Sequence, residues 1–323
     1  DRTHLERVLV RASGYVTGRG RSKRAADRAR VWQAPTMAGF PDNNAEMIAY
    51  WDGERGEAWA ERSDQYDSQL EIYCLHVVSA AAPQPGETVL DIGCGAGATT
   101  FAASQAVGSA GKVVGVDISG PLLALATQRA QHDSYTHVQF VNADAQTMAP
   151  LDPPADVAIS RFGVMFFDDP VAAFTNIARS VRADGRLSFA CWAGVELNEW
   201  MLGPILAVAD IIDLPAPPGP EAPGPFSFAD QARVESILEQ AGWENVTFEE
   251  ITDSVYVGGP GTLDEAVEFV LSSSALADGL KEQVDAKREE ARARILDLFA
   301  NQHDGVGVRY PAHARIVHAV KAD

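Results

Sequence analysis

From residue 45 to 82 apolar and aromatic side chains recur at helical spacing: Met47, Ile48, Tyr50 and Trp51, then Trp59, Tyr66, Leu70, Tyr73 and Leu75. Residues three and four apart share a helix face, so the pattern predicts a helical segment, closed by Pro83, Pro85 and Gly86. A regular alternation follows. Short β-rich runs at 88–92, 112–117, 137–142, 155–160 and 186–192 are interleaved with helix-period stretches at 98–108, 120–132 and 170–182. Strands alternating with helices of this length predict βαβ units and a parallel sheet covered on both faces. Right-handed crossovers then leave an open, doubly wound α/β sheet as the expected topology.

The second half departs from this rhythm. Residues 196–214 read as helical, and the stretch from Pro215 to Pro225 holds too many prolines and glycines for either regular structure. We expect 196–228 to form an inserted lid. A helix at 229–241, a strand at 243–257, a long charged helix at roughly 277–300 and a terminal strand at 314–321 complete the expectation. The domain reading is a basic extension at 1–43, then one domain over 44–323 with a helical cover at 44–82.

Composition narrows the class. Over 323 residues, 46% apolar and 22% charged residues suit a water-exposed globular protein. No apolar run nears the roughly 20 residues needed to span a bilayer, and no signal-peptide pattern is visible. Cys74, Cys94 and Cys191 are scattered and odd in number, which fits a reducing cytoplasm and offers no disulfide framework. The seven histidines are dispersed too, and no protein-bound metal is expected. The first thirty residues carry nine Lys or Arg against three acids, so the remainder holds −25 of a net −19. A body this acidic repels phosphate backbones, which argues against a nucleic-acid substrate.

The chemistry concentrates at 88–97, where Thr-Val-Leu-Asp-Ile runs straight into Gly93, Cys94, Gly95, Ala96 and Gly97. This is a strand, a tight turn and a helix start, the geometry in which backbone N–H groups meet a ligand. Asp91, two residues before the first glycine, suits a cationic ligand group. Asp117 ends the second strand, where a carboxylate in a doubly wound fold holds a ribose. Asp144 follows the third strand and could accept from an adenine amino group, with the Ala145 amide beside it. Ser160, Arg161 and Phe162 close the fourth strand, at the carboxyl edge where open sheets bind ligands.

A nicotinamide enzyme formally fits Gly93, Gly95 and Ala98, with Asp117 as ribose acid. Gly97 changes that glycine spacing, Asp91 precedes the turn and Asp144 adds an adenine-side acid, and all three count against a dehydrogenase. In this order and spacing the four motifs resemble the class I S-adenosylmethionine-dependent methyltransferases. The segment Ile159–Pro170, the segment Arg182–Trp192 and the upstream Tyr50–Trp59 are similar to the bacterial group around the ubiquinone and menaquinone C-methyltransferases. The likeness spans about 44–321. Where the group carries Pro-Gly-Gly before the fifth strand, this chain has Ala183, Asp184 and Gly185.

The resemblance implies a Rossmann-like seven-stranded sheet whose last strand is antiparallel. It implies S-adenosylmethionine as cofactor and S-adenosylhomocysteine as product, with the methionyl part over Gly93, Cys94, Gly95 and Gly97 and Asp91 at its ammonium. It implies Asp117 at the ribose, Ile118 against adenine, Asp144 and Ala145 on the adenine edge, and Ser160 and Arg161 beside the sulfonium and the substrate. The acceptor is expected to be a small apolar or aromatic molecule methylated on carbon or oxygen. Trp51, Trp59, Tyr66, Phe162 and Trp200 are candidates to line its pocket. No base stands out; Asp168, Asp169, His76 and Tyr66 are the reachable groups. A catalytically silent S-adenosylmethionine-binding partner protein would carry the same cofactor motifs.

Overall fold

The computed structural model describes residues 44–212, 219–273, 275–281 and 283–322. The expected basic extension at 1–43 and part of the proline-rich stretch, 213–218, lie outside the described residues. The cover is three helices rather than one segment: α1 (Ala45–Trp51), α2 (Glu54–Glu61) and α3 (Ser63–Ala81). Gly53, extended at φ −101° and ψ −153°, breaks the first pair, and Arg62 at φ −110° and ψ 17° breaks the second. There follow β1 (Thr88–Ile92), α4 (Ala98–Val107), β2 (Lys112–Asp117), α5 (Gly120–His132), β3 (Val138–Asn142), β4 (Ala155–Arg161), α6 (Pro170–Arg179) and β5 (Val181–Trp192). The second half holds α7 (Glu199–Val208), α8 (Gln231–Gln240), β6 (Trp243–Tyr256), α9 (Leu263–Ser273), α10 (Ala275–Leu280), α11 (Asp285–Ala300) and β7 (Arg309–Lys321).

The sheet order is β3-β2-β1-β4-β5-β7-β6. β1 pairs in parallel with β2 and β4, while β7 lies between β5 and β6 and runs antiparallel to both. The chain therefore winds outward from β1 to β3 and then returns to start the other half at β4. The gap above β1 and β4 is the point where strand order reverses, the place where such sheets bind ligands. Val89, Leu90, Val113, Val157, Ile159 and Phe189 are buried to 2% exposure or less, because helices cover both faces of these strands. Each such side chain contributes about 1.5–3 kcal/mol by leaving water.

Several boundaries differ from expectation for local reasons. The helix expected to reach 182 stops at Arg179, and Val181 pairs with Ala155 as a strand. The turn at 183–185 forms as an excursion within β5: Asp184 sits at φ +56° and the ladder resumes at Arg186 opposite Val157. The helix read as 277–300 is split into α10 and α11, the one read as 196–214 ends at Val208, and α9 was not expected. The terminal strand starts at Arg309 rather than 314, with Pro311 tolerated opposite Ser254. Residues 219–228 are pinned rather than extended: the Gly224 N–H and the Ser227 hydroxyl both donate to the Met165 carbonyl, at 3.0 and 2.6 Å. Among the described residues no helix is long and apolar enough to cross a membrane.

Candidate active site at the β1–β4 edge

The chain leaves β1 through a turn closed onto β2. The amides of Gly93 and Cys94 donate to the Val116 carbonyl, at 2.8 and 3.1 Å, and Gly97 donates to the Cys94 carbonyl at 2.9 Å as α4 begins. Gly93, Gly95 and Gly97 all have positive φ, at +63°, +52° and +91°. Their surroundings differ. A Cβ on Gly93 would lie 2.9 Å from the Gly163 Cα, and one on Gly97 would lie 2.8 Å from the Phe101 ring. At Gly95 the nearest atom is the Leu122 Cδ1 at 4.0 Å, so this glycine alone of the three faces open space. A side chain would thus collide with packed neighbours at Gly93 and Gly97 but not at Gly95.

Three carboxylates stand at or near the carboxyl ends of β1, β2 and β3. Asp91 is wholly buried; its Oδ2 accepts from the Thr100 hydroxyl at 2.6 Å, and its Oδ1 has no partner. Burial pushes its carboxyl up to about 7, while the Thr100 bond and the nearby Arg161 charge act the other way. Asp117 accepts the Gly95 N–H on Oδ2 at 2.7 Å and the Ser119 N–H on Oδ1 at 2.8 Å. Burial still raises it above the ordinary carboxylate range, against those two bonds. Asp144 accepts the Gln146 N–H on Oδ1 at 2.9 Å, and its buried Oδ2 has no partner. Half-buried Ile118 follows Asp117, its carbonyl held by Asn142 Nδ2 at 3.0 Å. The Ala145 carbonyl is held by Asn176 Nδ2 at 3.0 Å.

At the end of β4, Ser160 ties the two central strands together. Its hydroxyl donates to the Ile92 carbonyl at 2.7 Å and accepts from the Gly163 N–H at 3.2 Å. Arg161 donates through Nη2 to Asp67 Oδ1 on α3 at 2.9 Å, while its buried Nη1 has no acceptor. Burial works against the Arg161 charge, but Asp67, Cys74 and Asp91 together outweigh it and hold the guanidinium above its ordinary pKa. Phe162 follows in the left-handed region at φ +61° and stacks on Trp192 with ring centres 4.0 Å apart.

The five aromatic candidates do not converge on one point. Trp51, Trp59 and Tyr66 form a row along the cover, Trp59 stacked on Tyr66 at 3.5 Å and Trp51 edge-on to Trp59 at 5.5 Å. Phe162 and Trp200 meet through Trp192, which the sequence did not single out. Phe166, also missed, takes the edge of Trp51 at 5.2 Å and so links the cover to the chain after β4. Asp169 caps α6 by accepting the Ala172 N–H at 2.9 Å, and both it and Asp168 are exposed. A cavity of about 560 Å³ opens beside the cover, lined by Tyr50, Arg55, Ala58, Ser272 and Lys281, and does not reach the glycine turn. Asp67, Thr100 and Gly163 were likewise not anticipated: each acts on a residue that only the folded chain brings near.

A sequence profile described as a methyltransferase domain matches residues 89–185. The nocamycin O-methyltransferase of Saccharothrix syringae is 34% identical over 173 residues, which cover 51% of this chain and 61% of that protein. The demethylmenaquinone methyltransferase of Oceanobacillus iheyensis is 31% identical over 104 residues, 32% of this chain and 44% of that one. The chain thus spans about half the length of the curated relatives it matches. Phosphoethanolamine N-methyltransferase 2 of Haemonchus contortus, solved in complex with S-adenosyl-L-methionine, shares the fold at a TM-score of 0.53 and 16% identity, covering 88% of this chain and 61% of that one. Residues 89–185 therefore match a methyltransferase domain, and the chain as a whole is similar to methyltransferases in sequence and in fold.

Proposed function

We propose that this protein transfers the methyl group of S-adenosylmethionine to a small apolar or aromatic acceptor, on carbon or oxygen. One observation carries the cofactor reading: two buried atoms of opposite charge at the same strand edge, Asp91 Oδ1 and Arg161 Nη1, lack partners among the described residues. A buried charged group without a hydrogen bond costs several kcal/mol, so the pair fits a ligand that brings both an ammonium and a carboxylate. An amino-acid moiety does so. Asp144 Oδ2, also buried and unpartnered, suits the exocyclic amine of an adenine. The open side of Gly95 suits the approach of the chain between them.

When bound, S-adenosylmethionine supplies a methyl carbon already activated by a positive sulfur. The work left to the protein is orientation and exclusion of water. Asp91 and Arg161 would fix the two ends of the amino acid, Asp117 the ribose and Asp144 with the Ala145 amide the adenine. The cover would exclude water. Asp52 Oδ1 accepts the Gly120 N–H at 2.7 Å, which ties the α1–α2 corner to the start of α5, and Trp51 meets Phe166. Trp51, Phe162, Phe166, Trp192 and Trp200 give the surroundings above β4 and β5 an aromatic character, which supports an apolar acceptor. Residues 196–212 and 219–228 would serve as a lid. The relatives named above, a nocamycin O-methyltransferase and a demethylmenaquinone methyltransferase, support small-molecule acceptors.

Calorimetric titration of the purified chain with S-adenosylhomocysteine and with NAD tests the reading. Micromolar binding of the first and none of the second is expected. Binding of NAD alone would overturn it. Methyl transfer in an acceptor screen separates an enzyme from a silent cofactor-binding protein.

A further inference from the structure

The guanidinium of Arg161 does not hold its own position. Among the described residues its one acceptor is Asp67 Oδ1, on the second turn of α3, at 2.9 Å and 94 residues away in sequence. The other oxygen of Asp67 accepts from Arg129 Nη1, also at 2.9 Å. Arg129 in turn donates to the Ala96 carbonyl in the glycine turn at 3.1 Å, to the Ser63 hydroxyl at 3.0 Å and to Asp64 Oδ1 at 2.6 Å. One carboxylate of the cover thus bridges two arginines that flank the ligand turn. Arg161 is 13% exposed at its side chain and Asp67 24%, so water screens this contact far less than it screens Asp64, at 96%.

The two arginines depend on Asp67 unequally. Arg129 has three other acceptors and keeps its grip on the Ala96 carbonyl without it. Arg161 has none, and its unpartnered Nη1 points where it does because Nη2 is anchored. From this we infer that Asp67 is a positioning residue: it aims Arg161 at the carboxylate of the ligand's amino-acid end and so makes the site selective for adenosyl ligands that keep that end. The inference rests on the cofactor reading above, and it assigns α3 a part in cofactor selection beyond covering the sheet.

The test compares two ligands on three variants. S-adenosylhomocysteine carries the amino-acid end, whereas 5′-methylthioadenosine keeps the adenosine and sulfur without it. Asp67→Ala is expected to weaken S-adenosylhomocysteine by about tenfold or more, the scale of a lost charge-assisted contact, and to leave methylthioadenosine unchanged. Asp67→Asn, nearly isosteric, should show the same selectivity even if the alanine variant folds poorly. Asp64→Ala, which removes the exposed acid on Arg129, should change neither ligand. Equal weakening of both ligands, or no weakening of S-adenosylhomocysteine, would overturn the role. If the unaltered chain binds no S-adenosylhomocysteine, the cofactor reading itself fails and takes this role with it.

Discussion

A fully buried carboxylate with one oxygen unpartnered weakens the fold that carries it, and Asp91 is that residue. Its pKa of about 7 in the folded chain lies above the ordinary value of about 3.9 that it regains on unfolding. Between those values the folded state holds the extra proton, so its stability falls as pH rises from about 4 to about 7 and stays low above that. Ligand affinity must move the other way, because an ammonium pairs with the ionised form. S-adenosylhomocysteine binding should therefore strengthen from about pH 5.5 through about pH 7 and then level off. Asp91→Asn keeps an acceptor for Thr100 and removes the charge. At about pH 8 it should raise stability by on the order of 4 kcal/mol, weaken the ligand at least tenfold and flatten the pH profile. Melting curves and titrations across that range check all three. A variant that is no more stable and binds as before would remove Asp91 from the site.

At the level of elements, the site depends on β1 and β4 ending in turns that touch. A Cβ on Gly163 would lie 2.9 Å from both the Gly93 Cα and the Ile92 carbonyl oxygen, backbone atoms that cannot swing aside. Gly163→Ala should force the turns apart and cost about 1–3 kcal/mol of stability, with ligand affinity falling as the strand edge distorts. Gly95→Ala meets almost nothing. Its cost should be about 1–2 kcal/mol of left-handed backbone strain, while ligand binding is lost through direct obstruction. Melting with and without S-adenosylhomocysteine separates the two; a Gly163→Ala chain that melts like the parent would refute the contact. The same contrast explains what the sequence could reveal. Gly95, Asp91, Asp117 and Asp144 could be picked out as candidates because each stands at a short offset from the carboxyl end of its strand, and strands buried on both faces read as unbroken apolar runs. Gly163, Asp67 and Trp192 could not, because each matters through a partner far along the chain. The split of the cover at Gly53 could be read only weakly from one glycine, and the seat of β7 between β5 and β6 not at all, since residues 309–321 do not encode which strands they will pair.

For the whole molecule the dominant property is charge, a net −19 with a sequence pI near 4.7. In the proposed site, Asp91, Asp117 and Asp144 would face the ligand from within this field, with Arg161 as counter-charge. S-adenosylmethionine has an ammonium, a sulfonium and a carboxylate, and so carries one net positive charge; S-adenosylhomocysteine has lost the sulfonium and is neutral overall. An acidic body attracts the first over distances comparable to the Debye length and is indifferent to the second. The donor should therefore be drawn in and the product released without a matching electrostatic hold, which favours turnover. Raising ionic strength shortens the Debye length from about 30 Å at 0.01 M to about 8 Å at 0.15 M, so the affinity for S-adenosylmethionine should fall severalfold over that range. The affinity for S-adenosylhomocysteine should barely change. Parallel titrations of both ligands at the two salt concentrations measure the difference. Equal salt dependence would mean that the acidic surface acts on neither ligand and that discrimination between donor and product rests on contacts within the site alone.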